Sequence, residues 1–313
     1  MRAKYSLYLA ILLASSMLIL IACSQPSNYQ SIGPKASPPS AAKSILSGPT
    51  VIYGTDTRHD LYAESNPFVK LVADSTVAVL RTDDLTLLSD GSVKINQMPF
   101  GFSHMLCPTE RFFSQGTAPY CTGFLIASDT VVSAGHCITS QIDCDDTSFV
   151  FGFSYFTPDR PPDSVPSSDV FRCKSVVHTQ SVSSGADFSV VKLDRPVLWH
   201  FPLRVRSQGQ VEIGDPMTVI GYPSGLPLKI ADGAHVRRTD KAEYFVANLD
   251  TYGGNSGSPV FNSNTLEVEG VLVRGERDFT PTDNNCLISN ICPTNGCRGE
   301  DVTRIREVLP YLD

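Results

Sequence analysis

A serine flanked by glycines is the part of this sequence best suited to chemistry. Within residues 252–260, Gly254, Asn255 and Gly257 surround Ser256. Glycine permits tight turns with positive φ that bring backbone N–H groups close to a bound carbonyl oxygen. We therefore expect the N–H groups of Gly254 and Ser256 to form an oxyanion hole beside a nucleophilic hydroxyl. Because Gly, Ser and Asn also cluster in ordinary loops, this interpretation needs a base and an acid elsewhere in the chain.

Both partners are present upstream. His136 lies in a turn of small residues that follows an apolar segment, and Asp187 opens a later apolar segment. Cys121 and Cys137 are well spaced to clamp the two strands that carry the histidine, and closing such a loop of about 15 residues is worth roughly 3 kcal/mol. The order His, Asp, Ser is that of the chymotrypsin triad, in which the histidine accepts the serine proton and the aspartate orients the histidine.

The segments around these residues resemble trypsin-like serine proteases. Residues 51–58 further resemble the start of the mature domain in the bacterial glutamyl-endopeptidase-like branch. The resemblance is dense in these four segments and loose over residues 51–313. One departure is Ser133, which stands where the family usually has threonine.

The family implies an all-β, chymotrypsin-like fold of two six-stranded antiparallel β-barrels. His136 and Asp187 would come from the first barrel and Ser256 from the second, with the catalytic cleft between them. The sequence agrees, because short Val- and Thr-rich segments recur between turn residues, as in a sandwich or barrel. These segments are residues 75–80, 124–133, 148–153, 188–193, 216–221, 243–248 and 268–273.

Two further segments have local signals. Apolar residues within 300–313 recur at helical spacing, which predicts a short C-terminal helix that packs on the second barrel and ends or kinks near Pro310. Within residues 85–97 apolar and polar side chains alternate weakly on both sides of Asp90 and Gly91, which predicts an additional hairpin that turns at these two residues.

The first residues predict an export signal. Arg2 and Lys4 precede an apolar run over residues 5–21, which is slightly short for a membrane span of about 20 residues. A small residue immediately before Cys23 resembles a bacterial lipobox, so we expect residues 1–22 to be removed and the Cys23 thiol to be lipidated. An uncleaved anchor is the alternative, and either would place the remaining chain outside the cytoplasm.

The rest of the chain divides into a linker over residues 23–50 and a protease domain over residues 51–313. The linker is rich in Ser, Pro and Ala and cannot bury a core.

The formal net charge is −7, and removal of the leader would make the charge still more negative, which argues against nucleic acid as a partner. We expect a monomer that acts on protein or peptide substrates, is anchored in a bacterial cell envelope by its lipid, and is alternatively released from it.

Cysteine usage also predicts export. Besides Cys23 the chain has eight cysteines, an even number that suits disulfides in an oxidising compartment. A cluster near the C-terminus could instead bind a metal, but no histidine lies near it and exported thiols usually oxidise, so we expect disulfides and no metal. The pairing of six cysteines stays open: Cys107, Cys144, Cys173, Cys286, Cys292 and Cys297.

Substrate preference is ambiguous. Asn255 cannot form the ion pair with a new N-terminus that an aspartate provides in trypsin-like enzymes, whereas the glutamyl-endopeptidase branch also has asparagine there. In that branch a free amine at the position of Val51 and a threonine matching Thr251 help to bind an acidic side chain. Asp250 instead corresponds to the acidic pocket base of trypsin, and Arg274 could pair with an acidic substrate residue or neutralise Asp250. The signals conflict, with a slight preference for basic residues.

The expected function is peptide-bond hydrolysis through an acyl-enzyme, with no cofactor. An inactive protease-fold lipoprotein that binds or adheres at the cell envelope is the alternative, although such a protein has no need of an intact His, Asp and Ser set. An esterase with the same acyl chemistry is a further alternative. It is disfavoured because Ser256 precedes a β-like segment rather than the helix that follows an α/β-hydrolase nucleophile.

Overall fold

A computed structural model describes residues 51–312. The predicted leader, the lipidation site Cys23 and the predicted linker therefore lie outside the described residues. Within the described part, no helix is both long and apolar enough to cross a membrane.

The first β-barrel confirms the expected architecture. Six antiparallel strands close on themselves in the order β4-β5-β6-β3-β2-β1, and β1 pairs with β4 to complete the barrel. Its interior is filled by Val, Leu and Phe side chains such as Phe124, Val132 and Phe149. The strands are β1 (Thr76–Arg81), β2 (Cys121–Ala127), β3 (Thr130–Ser133), β4 (Thr147–Val150), β5 (Val170–Ser181) and β6 (Asp187–Leu193).

The second barrel also has six antiparallel strands, in the order β7-β10-β11-β12-β9-β8, and it is closed by pairing of β7 with β8. A short strand, His59–Asp60, adds to its outside by pairing with β8. Met217, Phe245 and Leu272 belong to the core inside this barrel. The strands are β7 (Pro216–Gly221), β8 (Lys229–Arg238), β9 (Tyr244–Ala247), β10 (Pro259–Asn262), β11 (Val268–Arg274) and β12 (Glu300–Arg304).

Helices and small sheets occupy the connections. The hairpin expected around Asp90 and Gly91 is present, with Gly91 at φ +84°, where glycine is favoured over residues with a side chain. The short helices are α1 (Pro67–Ala73), α2 (Phe100–Ser103) and α3 (Gln141–Asp145). The remaining short strands are Ile52–Tyr53, Leu85–Leu87, Ser92–Ile95, Met98–Pro99, Gly116–Thr117, Ser164–Pro166, Phe279–Pro281, Leu287–Ser289 and Ile291–Cys292.

The predicted C-terminal helix is wrong. Its first half is strand β12, which hydrogen-bonds to β9 on one side and β11 on the other and so completes the second barrel. Two 3₁₀ turns follow, Ile305–Glu307 and Leu309–Tyr311, with Pro310 in the first turn of the second. Backbone hydrogen bonds on both edges of this strand stabilise it more than the helical spacing of apolar residues would stabilise a helix. Two of those apolar residues, Ile305 and Val308, are instead buried in the core shared with the first barrel.

All eight cysteines of the described residues form disulfides, as expected for an exported protein. The structure joins Cys121 to Cys137, the pair expected from spacing, and it also determines the open pairings. These are Cys107–Cys286, Cys144–Cys173 and Cys292–Cys297. The cluster near the C-terminus is thus a set of disulfide partners rather than thiolates available to a metal.

A charged histidine ties α1 to the loop before the second barrel. His200 Nδ1 lies 2.8 Å from the Asp74 carboxylate, and its Nε2 lies 3.9 Å from that of Asp169. Burial by itself would lower the pKa of this histidine, but the nearby Asp169 carboxylate and the hydrogen bond to Asp74 raise it to about 9. The His200 ring also stacks on Phe151, with centroids 4.1 Å apart.

This arrangement predicts a pH-dependent stability. Because the folded pKa of His200 is raised above its ordinary value, its contribution is complete below about pH 6.5 and is lost as pH rises through about 9. We expect His200→Gln to remove that part of the decline. The measurement is the urea midpoint of both proteins from pH 6 to 10, in which the difference between them isolates this histidine from other groups. A difference that does not change with pH would contradict the assignment.

Candidate active site

The turn that carries His136 is held by neighbours on both sides. Strand β3 ends at Ser133, and the Cys121–Cys137 disulfide fixes the far end of the turn to the start of β2. Gly135 packs so closely on the backbone of Gln180 that an added Cβ would overlap its carbonyl oxygen. The histidine therefore leaves a turn whose backbone has little freedom.

Asp187 orients this histidine. His136 Nδ1 lies 2.8 Å from Asp187 Oδ2, and the His136 backbone N–H donates to Oδ1 at 3.1 Å. The Asp187 side chain is 5% exposed and that of His136 is 24% exposed. Thr303 of the second barrel fixes the Asp187 backbone, because its hydroxyl accepts from the Asp187 N–H and donates to the Asp187 carbonyl, each at 3.1 Å. The acid is thus positioned by both barrels.

The Ser256 turn is clamped to the first barrel. The Thr122 N–H donates to the Ser256 carbonyl at 2.8 Å, and the Thr122 hydroxyl donates to the Gly254 carbonyl at 2.8 Å. Gly254 and Gly257 have φ of +90° and +91°, and a Cβ on Gly257 would overlap the Thr122 carbonyl oxygen. Glycine is required at Gly257 for both reasons.

Strand β2 therefore positions two of the three predicted catalytic residues. Cys121 is joined to the residue after His136, and Thr122 holds the backbone of Ser256. The structure contains the predicted contact between His136 and Asp187. The buried Nε2 of His136 has no hydrogen-bond partner within residues 51–312, so it makes no hydrogen bond to the Ser256 hydroxyl. Neither the Gly254 N–H nor the Ser256 N–H has a backbone acceptor in these residues, which leaves both N–H groups for an oxyanion.

Asp250 is occupied by the N-terminal segment. Its Oδ1 accepts from the Tyr53 N–H at 2.7 Å, and its Oδ2 accepts from the Thr57 N–H at 2.9 Å and the Thr57 hydroxyl at 3.2 Å. Burial raises the pKa of Asp250 despite these bonds. This carboxylate anchors residues 53–57 to the second barrel, a role that the sequence alone did not indicate.

The other two predicted specificity residues also have protein partners. The Thr251 hydroxyl donates to Glu300 Oε2 at 3.1 Å, and the Thr251 N–H donates to the Val51 carbonyl at 3.2 Å. Arg274 does not neutralise Asp250 as one alternative supposed. Its Nε donates to Asp301 Oδ2 at 3.1 Å, and its other nitrogens donate to backbone carbonyls of the 182–185 turn.

Glu300 is a buried acid beside Thr251 that sequence reasoning did not single out. It is the first residue of β12, is fully buried, and contacts the Thr251 hydroxyl. A Cβ on Gly275 would overlap its carboxylate, so the absence of a side chain at Gly275 makes the space for this acid. The available signal was an acid at the start of an apolar alternating segment, which the sequence analysis assigned to a helix terminus.

Three potential metal-ligand atoms lie within 4.8 Å of one another at this site, from Cys121, His136 and Cys137. The two sulfur atoms are bonded to each other in a disulfide and cannot be thiolate ligands. This donor set therefore does not suit a metal.

Comparison with known proteins matches the segment that contains His136, Asp187 and Ser256. Residues 121–271, just under half of the chain, match the family model described as a trypsin-like peptidase domain. The chain is 30% identical over 154 residues to a glutamyl endopeptidase of Bacillus licheniformis, and 30% identical over 153 residues to an extracellular metalloprotease of Bacillus subtilis. Each match covers 46% of this chain and 46% of the relative. The chain thus spans about half the length of the curated relatives it matches.

Two solved protease structures align with most of this chain. A Glu endopeptidase in complex with MPD has a TM-score of 0.49 and 19% identity, with 83% of this chain and 98% of that chain covered. The active form of the Rv3671c protease from M. tuberculosis has a TM-score of 0.46 and 16% identity, with 87% of this chain and 93% of that chain covered.

The crowding at Gly257 yields a test of the clamp. Gly257→Ala should destabilise the protein for two reasons, its positive φ and the overlap of the new Cβ with Thr122. Gly214→Ala should destabilise the protein through its positive φ alone, because Gly214 has φ +92° and open space around it. We expect about 1–2 kcal/mol for Gly214→Ala and about 1–3 kcal/mol more for Gly257→Ala, measured by urea unfolding. Equal losses would show that the contact with Thr122 does not constrain the turn.

Proposed function

We propose that this protein is a serine endopeptidase in which Ser256, His136 and Asp187 form the catalytic triad. The observation that carries the proposal is the 2.8 Å contact between His136 Nδ1 and Asp187 Oδ2, beside a Ser256 turn held by the same strand as His136. Residues 51–313 are the proposed protease domain, acting as a monomer on protein or peptide substrates.

The proton path follows from the histidine contacts. Since Asp187 accepts the hydrogen bond from Nδ1, the neutral His136 ring carries its proton there, and the lone pair lies on Nε2. Nε2 then accepts the Ser256 proton as the hydroxyl oxygen attacks the substrate carbonyl. The buried Asp187 carboxylate stabilises the resulting imidazolium, which returns the proton to the leaving amine.

The acyl-enzyme is resolved by the same groups. Water loses a proton to His136 Nε2 and attacks the ester carbon on Ser256, and the proton then returns to the serine oxygen. In both steps negative charge develops on the carbonyl oxygen. The N–H groups of Gly254 and Ser256 stabilise this charge, since neither has a backbone acceptor within residues 51–312.

Loss of the nucleophile tests the assignment. Ser256→Ala should lower turnover of peptide substrates by roughly 10⁴-fold or more, since hydrolysis through the acyl-enzyme is abolished. Ser263→Ala is the matched control, because its hydroxyl bonds Thr218 and takes no part in the site. Ser256→Ala should keep the wild-type urea midpoint, whereas Ser263→Ala loses the hydrogen bond to Thr218 and serves as the control for activity alone.

The same measurement separates the alternatives. Undiminished hydrolysis by Ser256→Ala would overturn the triad. A wild-type protein that neither hydrolyses peptides nor reacts with a fluorophosphonate at Ser256 would instead favour an inactive envelope-binding lipoprotein.

We also propose export to a bacterial cell envelope with a lipid anchor. Four disulfides indicate an oxidising compartment. The apolar run before Cys23 and the small residue preceding it support processing as a lipoprotein, with residues 23–50 as a tether.

The anchor has its own test. Cys23→Ala should abolish incorporation of labelled lipid and leave the precursor unprocessed at that position, because the thiol that would carry the lipid is gone. Mass spectrometry of the wild-type N-terminus provides the control. A mature protein that begins anywhere other than at an acylated Cys23 refutes the lipid anchor.

A further inference from the structure

The peptide unit that joins Gly253 to Gly254 has glycine on both sides. Its N–H is that of Gly254, one of the two groups left for an oxyanion. Because glycine has no Cβ, rotation about the bonds that flank this unit meets little steric resistance. The unit is trans, so its N–H and carbonyl point in opposite directions, and a half-turn would exchange the Gly254 N–H for the Gly253 carbonyl oxygen. An oxyanion hole that uses this unit therefore needs contacts that fix its orientation.

The Gly253 carbonyl is held by the turn Pro223–Gly225, which follows β7. The Ser224 N–H donates a hydrogen bond to this carbonyl. Ser224 has φ +50°, a left-handed conformation that is uncommon for a residue with a side chain. The turn also packs on Gly254, where an added Cβ would lie 2.7 Å from the Tyr222 carbonyl oxygen. With the carbonyl bonded to Ser224, the Gly254 N–H of the same unit points away from this turn.

The N–H of Gly253 is held by an acid. It donates to Asp278 Oδ2 at 2.9 Å, and the Asp278 side chain is partly buried. Asp278 belongs to the connection between β11 and β12, residues 275–299, and so approaches the nucleophile turn from a different part of the chain than Ser224 does. Hydrogen bonds to a carboxylate are roughly twice as strong as neutral ones. The bonds to Asp278 and from Ser224 thus fix both sides of the Gly253 Cα.

Asp278 is itself held in place. The Asn290 N–H donates to the Asp278 carbonyl at 2.7 Å. The next residue, Phe279, begins a hairpin strand, and its ring lies 4.8 Å from that of Tyr252, measured between centroids. Tyr252 directly precedes Gly253 and also stacks on the Arg58 guanidinium, 3.9 Å from the ring centroid. The hairpin and Tyr252 therefore set the position of the acid relative to Gly253.

We propose that Asp278 is a positioning residue for peptide hydrolysis, because it holds Gly253 so that the Gly254 N–H stays directed at the oxyanion. The inference rests on the proposed peptidase function. The negative charge of Asp278 would by itself oppose the charge that develops on the substrate oxygen. Its benefit to the reaction comes from the hydrogen bond that it accepts, and it acts through Gly253 rather than by contact with the substrate.

The test uses the full chain and a fluorogenic peptide that the wild type cleaves, chosen from a library of such peptides. Asp278→Ala should lower kcat by about 10- to 100-fold at unchanged KM, less than the roughly 10²- to 10³-fold loss on removal of an oxyanion donor. Asp278→Asn should restore most of kcat, because its amide oxygen still accepts a hydrogen bond. Asp283→Ala removes an exposed acid of the same connection and should match the wild type.

A second measurement separates positioning from a purely structural role. A trifluoromethyl ketone with the sequence of the same peptide forms a tetrahedral adduct on Ser256 that carries an oxyanion. Its affinity should fall in Asp278→Ala by the same factor as kcat/KM, because both depend on stabilisation of that oxygen. The urea midpoints of all variants show whether each is folded.

Each result supports or overturns the proposal. An unchanged kcat in Asp278→Ala overturns it, as does an effect on KM alone. Equal losses in Asp278→Ala and Asp278→Asn also overturn it, since the charge rather than the acceptor would then matter. Should Asp278→Ala not fold, Asp278→Asn decides, and a reduced kcat with weaker ketone binding in that variant contradicts the proposal.

Reaction of the wild type with a fluorophosphonate at Ser256 distinguishes the two levels of inference. A wild type that is labelled and hydrolyses the peptide, alongside an equally active Asp278→Ala, overturns this inference alone. A wild type that neither hydrolyses the peptides nor is labelled overturns the proposed function and this inference with it.

Discussion

Two hydrogen bonds from Thr122 to the Ser256 turn connect the barrels at the site. They fix the carbonyls of Gly254 and Ser256, while the adjacent Cys121 is bonded to the cysteine that follows His136. Because alternate residues of a strand face opposite sides, a one-residue shift of β2 would move both connections at once. The turn of the proposed base and the turn of the proposed nucleophile therefore depend on the register of a single strand.

Three buried acids show how local donors determine the role of one chemical group. Asp187 receives an imidazole N–H and a backbone N–H and orients His136, the proposed base. Asp250 is saturated by backbone and hydroxyl donors and holds a segment of chain. Glu300 accepts from three neutral donors at 3.1 to 3.3 Å, and burial raises its pKa well above its ordinary value.

The segment that precedes the first barrel is part of the second. Tyr53 bonds two of these acids, through its N–H to Asp250 and through its hydroxyl to Glu300. Farther along, Lys229 is buried with its ammonium 2.6 Å from Asp60. The N-terminal segment is thus anchored beside the loop that leads to the nucleophile, and Tyr53 connects its conformation to both carboxylates.

Local patterns were sufficient for the features whose causes are local. The glycines around Ser256, the turn at Asp90 and Gly91, and the apolar strand before His136 each reflect a backbone requirement that neighbouring residues reveal. The two-barrel fold came from resemblance rather than from periodicity, and the sequence pattern alone allowed a sandwich as well.

Tertiary structure alone decided the features that depend on distant partners. Residues 300–304 have a pattern compatible with a helix, but they form β12 because β9 and β11 each offer an unpaired edge. The partners of Asp250 and Glu300 could not be read from the sequence, since each carboxylate is bonded by a residue far along the chain, Tyr53 for Asp250 at a separation of 197 positions and Thr251 for Glu300 at a separation of 49. Disulfide pairing was likewise undetermined until the fold brought Cys107 to Cys286 across 179 positions. Sequence spacing records what adjacent residues permit, whereas hydrogen-bond saturation and covalent pairing depend on which distant groups the folded chain brings together.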